Sequence, residues 1–135
     1  MRSVEAIITF VIVSLAASVA VRAQDCSQDS QIGMNVCADQ EFKVADKELN
    51  TTYQQVISRL DKNKPTYALL VKAQRSWLAF RDAQCEFATS AASQGSIYPM
   101  LVVQCRTEMT HTRTKELKPL LHCEESDMSC PVPAP

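Results

Sequence analysis

Six cysteines, at positions 26, 37, 85, 105, 123 and 130, all fall behind an N-terminal apolar run, and nothing else in this 135-residue chain constrains its fold as strongly. The run spans Ala6 to Ala20, follows the basic Arg2, and closes on Val21-Arg22-Ala23. Val21 and Ala23 are the aliphatic and small residues that a signal peptidase site needs, so residues 1–23 are read as a secretory signal peptide. The run is also shorter than the ~20 apolar residues of a bilayer-spanning helix. An even number of cysteines beyond such a segment is read as three disulfides formed in an oxidising compartment, in a periplasmic or secreted protein. Ala23-Gln24-Asp25, just before Cys26, do not form the small-residue box of a lipidated cysteine. The expected mature chain is therefore free of the membrane.

About 112 residues remain after that cut, enough for one domain with a modest core that disulfides reinforce. Losing Arg2, Arg22 and Glu5 leaves 12 basic and 14 acidic residues, a formal net charge of −2. That balance, with no basic stripe interleaved with aromatics, argues against a nucleic-acid partner. A basic protein partner remains compatible, because complementary charge raises the association rate.

Glycine occurs only at Gly33 and Gly95, strand-like alternation is absent, and the apolar positions recur at helical spacing. Ala38, Phe42, Ala45, Leu49, Tyr53, Val56 and Leu60 predict a first helix from Ser30 or Ile32 to Leu60. Asp61 to Pro65 breaks it, and Pro65 suits the first turn of the next helix. The second helix is expected from Pro65 to Ala92, burying Leu69, Leu70, Ala73, Trp77, Phe80, Phe87 and Ala91. After the turn at Ser93-Gln94-Gly95-Ser96, a third runs from between Ile97 and Met100 to Leu121. Its buried edge is expected to be Leu101, Val102, Cys105, Met109, Thr112 and Leu117, and Pro119 should kink or fray its last turn.

These elements predict an all-α fold: a small antiparallel bundle of three main helices over residues 24–122, stabilised by disulfides, with an irregular Cys- and Pro-rich tail over 123–135. Cys85 and Cys105 lie ten residues either side of Gly95 and should face each other across the second hairpin. Cys26–Cys37 would pin the incoming chain to the first helix, and Cys123–Cys130 would close a loop in the tail. Cys37–Cys85 with Cys26–Cys105 remains an open alternative, since those four share one end of the bundle.

Few residues look equipped for catalysis. Glu108 and His111 have the spacing of a di-metal ligand pair, but the only other histidine, His122, lacks a matching carboxylate, so no metal or cofactor is expected. With every cysteine paired there is no free thiolate to act as a nucleophile, and no carboxylate pair stands out for glycoside hydrolysis. The chain is read as a non-enzyme. Arg81-Asp82, with Arg75 and Arg113 on facing helices, is read first as an ion-pair network that sets helix register. The second reading is a bidentate docking point for a partner carboxylate. The turn before the third helix offers Ser96, able to cap that helix, and Tyr98, able to anchor a contact. Arg81, Asp82, Ser96 and Tyr98 are thus the candidate partner-binding residues. Asn50-Thr51-Thr52 is a glycosylation sequon placed in mid-helix.

Several motifs, taken in order, resemble one known family. They are Met34-Asn35-Val36-Cys37-Ala38, Ala45-Asp46 with Leu49-Asn50 and Tyr53, and Gln74-Arg75 with Trp77, Phe80-Arg81-Asp82 and Cys85. Gly95-Ser96, Cys105, Thr110, Arg113 and Leu117 complete the set. Together they look like the LprI-type lysozyme-inhibitor domain of secreted bacterial proteins, over about Cys26 to Leu121. The resemblance implies an all-helical, disulfide-bonded fold, a periplasmic or extracytoplasmic home, and lysozyme or another cell-wall hydrolase as partner. Cys123 and Cys130 lie outside the matched pattern. The alternative function is a non-inhibitory helical interaction module, a periplasmic chaperone or envelope adaptor.

Overall fold

The computed structural model describes residues 30–134. Three helices follow one another: α1 (Gln31–Ser58), α2 (Pro65–Ala88) and α3 (Tyr98–Leu117). Short 3-10 turns at Ser90–Ala92 and Lys118–His122 follow α2 and α3, and the described residues contain no strand. The expected signal peptide, Cys26 and the Cys26–Cys37 pairing lie outside the described residues.

Each boundary has a local cause. Ser30 caps α1, its hydroxyl accepting from the Gly33 N–H at 3.1 Å. Beyond α1, the Asp61 carboxylate accepts from the Asn63 N–H at 2.9 Å, an Asx turn that reverses the chain before Pro65 opens α2. Near the end of α2 the Thr89 hydroxyl bonds back to the Cys85 carbonyl at 2.7 Å, and the chain tightens into the 3-10 turn. Pro119 lacks the N–H that would continue α3, so the chain winds on as 3-10 to His122.

α1 and α3 run parallel, with α2 antiparallel to both. At one end Gln31 approaches Met100; further along Lys118 donates to Glu48 at 2.6 Å, and Arg59 donates to the Leu121 carbonyl at 2.7 Å. α1 packs chiefly on α3, and α2 joins mainly through α3. The buried positions explain this. α1 offers Ala38, Ala45, Leu49, Thr52 and Val56, and α3 offers Val102, Thr110, Thr114 and Leu117, mostly small or β-branched side chains that let two backbones approach. Thr110 and Thr114 are fully or nearly fully buried, whereas Thr112, expected in the core, is exposed.

α2 corrects the sequence reading most. Its buried residues are Gln74, Arg81 and Cys85, while Leu69, Phe80 and Phe87 are 64%, 56% and 76% exposed. The helix is turned by about 100° from the orientation its apolar stripe predicts. Arg81 is the reason: its charge finds compensation inside the bundle, and that fixes the rotation.

Cys85–Cys105 and Cys123–Cys130 are disulfides, as the hairpin geometry and the tail spacing predict, and the Cys37–Cys85 alternative is thereby excluded. Cys37 is not a free thiol. The tail is irregular as expected, yet it is packed. Val132 is buried with Val56, Leu60 and Cys123 in an apolar cluster edged by Tyr67, Leu70 and Leu120.

Candidate functional site

Arg81 sits at the junction of the three helices and is 7% exposed. Its Nε donates to Asp82 Oδ1 at 3.0 Å and its Nη1 to Thr110 Oγ1 on α3 at 3.2 Å. The same Nη1 lies 3.6 Å from Asp46 Oδ1 on α1. The guanidinium also lies 5.2 Å from the centroid of the Phe42 ring and 5.4 Å from that of Trp77. A buried guanidinium is tolerated only where charge, donors and planar faces are all met, and here they are. This is a network that sets helix register, and it leaves Asp82 rather than Arg81 at the surface.

Two neighbours extend it. Arg113 lies 5.9 Å from the Trp77 centroid, donates to Gln74 Oε1 at 3.1 Å, and pairs with Glu116 at 2.8 Å. Trp77 therefore has two guanidinium groups within cation–π range. Arg106 places Nε 3.3 Å from Asp82 Oδ1 and a terminal nitrogen 3.5 Å from Glu86. The Nε approach is an ion pair without hydrogen-bond alignment, so that buried atom has charge compensation but no acceptor. Arg113 joins the network as expected from its place on a facing helix. Arg75 does not: it is exposed and lines a groove with Tyr53 and Tyr67. In that groove burial and the neighbouring Tyr67 push the Tyr53 phenol above its ordinary value, with Arg75 opposing.

Ser96 and Tyr98 lie elsewhere, at the turn between α2 and α3. Ser96 is exposed and does not cap α3, which starts after Ile97 without a side-chain cap. The turn is instead closed by the backbone, Gly95 N–H to the Ala92 carbonyl at 2.8 Å and Tyr98 N–H to the Gly95 carbonyl at 3.1 Å. A Cβ on Gly95 would sit 3.3 Å from the Ala92 carbonyl oxygen, tighter than ordinary contact, which favours glycine there. Tyr98 is half-buried as the first residue of α3. The Cys85–Cys105 bridge clamps the helices just below this turn. Arg81 and Asp82 lie about two turns back along α2, so the four candidates form two neighbouring groups and not one constellation.

The end of the bundle that carries Ser96 and Tyr98 also exposes Ile32 and Met34 from the start of α1 and Ile97 from the turn. The sequence reading missed these three. An apolar residue two positions after the Ser30 cap, and another inside a tight turn, were the available signals. Glu108, His111 and Asn50 are exposed on helix surfaces. Among the described residues no three His, Cys, Asp or Glu side chains converge as a metal site requires, and no helix is long and apolar enough to cross a membrane.

The Cys85–Cys105 bridge thus clamps α2 to α3, and Arg81, the most buried arginine among the described residues, is committed to contacts within the bundle. The chain belongs to the family described as lysozyme inhibitor LprI, whose pattern it matches over residues 22–117, spanning all three helices. It is similar to the uncharacterised protein R02472 of Rhizobium meliloti strain 1021, with 44% identity over 114 residues, covering 76% of this chain and 82% of that protein. It is also similar to the uncharacterised protein YecT of Escherichia coli K12, with 31% identity over 114 residues and 70% of each chain covered. No solved structure matches it.

Proposed function

We propose that the protein is a periplasmic or secreted inhibitor of a lysozyme-type muramidase, acting by binding and not by catalysis after removal of residues 1–23. The observation that carries this reading is membership of the LprI family across the whole bundle. The turn between α2 and α3 is the contact surface: Ser96 and Tyr98 supply hydroxyls, with Ile32, Met34 and Ile97 around them as an apolar collar. Exposed apolar side chains gathered at one end of a small protein are a usual mark of an interaction site.

Muramidases work through two carboxylates in a cleft. A turn held rigid by a disulfide can enter such a cleft at little ordering cost, and rigidity of that kind is a direct source of affinity. Asp82, half-exposed on α2 near this end, supplies a carboxylate towards a basic enzyme. Arg81 acts behind it by fixing its side chain.

Calorimetric titration of a basic lysozyme with the oxidised protein and with Ser96→Ala, Tyr98→Ala and Asp82→Asn tests the assignment. Tyr98→Ala should weaken binding about 30-fold, as expected for an interface aromatic. Asp82→Asn should act mainly by slowing association at low salt. Unchanged affinity in both the Ser96 and Tyr98 variants would remove the turn from the interface.

A further inference from the structure

The outward turn of α2 leaves a second surface that the inhibitory reading does not use. Leu69, Ala73, Ser76, Phe80, Ala83 and Phe87 step along it by 4, 3, 4, 3 and 4 residues, and all six are exposed. This is the 3–4 spacing of a coiled-coil seam, about 27 Å long at 1.5 Å per residue, on a helix that is polar and charged towards its own core. A seam of this regularity is built to meet another helix, and no helix of the described chain covers it.

We propose that a second copy of this chain covers it, through antiparallel pairing of α2 with α2 about a two-fold axis near Leu78. The seam is nearly palindromic. Turning it end for end sets Leu69 against Phe87 of the partner copy, Ala73 against Ala83, and Ser76 against Phe80, so two large apolar side chains meet at each end and each central ring meets a serine that leaves it room. The small residues between the rings let the two backbones approach. The flank of the seam repeats every seven residues as Lys72, Ala79 and Glu86, all exposed. In an antiparallel pair equivalent flanks meet, so Lys72 faces Glu86 of the partner twice across the axis, with Ala79 against Ala79 between them. A parallel pair would bring this flank against the opposite flank of the partner, Lys72 towards Trp77 and Ala79 towards Gln84, and leave Lys72 without a carboxylate. Both the apolar and the charged pattern therefore select a second copy in one orientation.

One helix pair is a small contact beside the roughly 800 Å² per partner of stable interfaces, so the dimer forms with micromolar affinity and is populated where the protein is concentrated. Its seam runs along α2 and leaves the Ser96–Tyr98 turn at the end of the bundle open.

Sedimentation velocity of the mature, oxidised protein across a concentration series tests this, with the variants Phe80→Glu, Lys72→Glu and Lys72→Glu/Glu86→Lys. Phe80 is exposed, so circular dichroism of Phe80→Glu should match the parent. The wild type should shift from monomer to dimer with rising concentration. Phe80→Glu should weaken dimerisation about 30-fold or more, the cost of losing a central aromatic contact. Lys72→Glu should weaken it about 10-fold, since two pairs become repulsive, and the double exchange should restore most of that loss. A wild type that stays monomeric to about 1 mM, far above the affinity class expected here, overturns the proposal. So does a dimer indifferent to Phe80→Glu, or one that the charge exchange fails to rescue. A permanent monomer in which Phe80→Glu abolishes lysozyme binding would assign the seam to the hydrolase.

Discussion

Replacing Arg81 with alanine removes several interactions at once: the hydrogen bond to Thr110, the ion pairs to Asp82 and Asp46, and the guanidinium contacts with Phe42 and Trp77. Breaking one side of a fully buried ion pair costs about 3–5 kcal/mol. Here the stranded carboxylates can rehydrate, since the Asp46 and Asp82 side chains are 37% and 44% exposed. The lost aromatic contacts and the space left by the side chain act in the other direction. The expected net cost is about 3 kcal/mol, which in a domain of this size lowers Tm by about 12–24 °C. Arg81→Lys keeps the charge but loses the planar donor geometry and the stacking, and should cost about half as much. Thermal and urea unfolding of the oxidised proteins, followed by circular dichroism, measures both. A loss below about 1 kcal/mol for Arg81→Ala, or a lysine variant as stable as the parent, would refute the idea that this side chain sets the rotation of α2. A variant of normal stability that no longer binds lysozyme would return Arg81 to the contact surface.

Three further outcomes follow from the same structure. Replacing Cys85 and Cys105 together with alanine opens a crosslink spanning 20 residues and should cost about 3 kcal/mol, read as a urea midpoint below that of the oxidised parent. Val132→Ala removes two methyl groups from the cluster with Val56 and Leu60 and should cost about 1–1.5 kcal/mol; no effect would mean the tail does not belong to the folded unit. Lys118 holds the Glu48 carboxyl below its ordinary value through a hydrogen bond and its charge. Stability from this pair is complete above the ordinary glutamate value and is lost as pH falls through the lowered one. In Lys118→Ala, NMR titration should find Glu48 moved back up towards its ordinary value, and an unmoved Glu48 would contradict the pairing.

The helices were legible because their signals are local. The α1 stripe through Ala38, Ala45, Leu49, Val56 and Leu60 is buried where periodicity places it, and Pro65 and Pro119 act as the start and stop they look like. Cys85–Cys105 followed from symmetry about Gly95. The orientation of α2 was not legible, because its apolar seam and its packed face are different faces of one helix. Periodicity reports that a helix is amphipathic, not which neighbour each face meets. Gln74 and Arg81 are inward because Arg113, Thr110 and Asp46 receive them, and those partners lie on α1 and α3, far away in sequence. Docking of the tail through Val132 depends on an apolar cluster assembled from residues just as distant. Of the candidate contact residues, Ser96 and Tyr98 follow from turn chemistry, whereas Ile32, Met34 and Ile97 carry weak local signals and are seen to share one end only once the packing of α1 on α3 is known.

Turbidimetric lysis of cell-wall substrate by lysozymes of several classes, with increasing amounts of the mature oxidised protein, tests the inhibitor reading most directly. The account predicts dose-dependent, saturable loss of lysis for at least one class, weakened in Tyr98→Ala and abolished when the disulfides are reduced. Undiminished lysis by every class at large molar excess would contradict it, leaving a helical interaction module whose partner is not a muramidase.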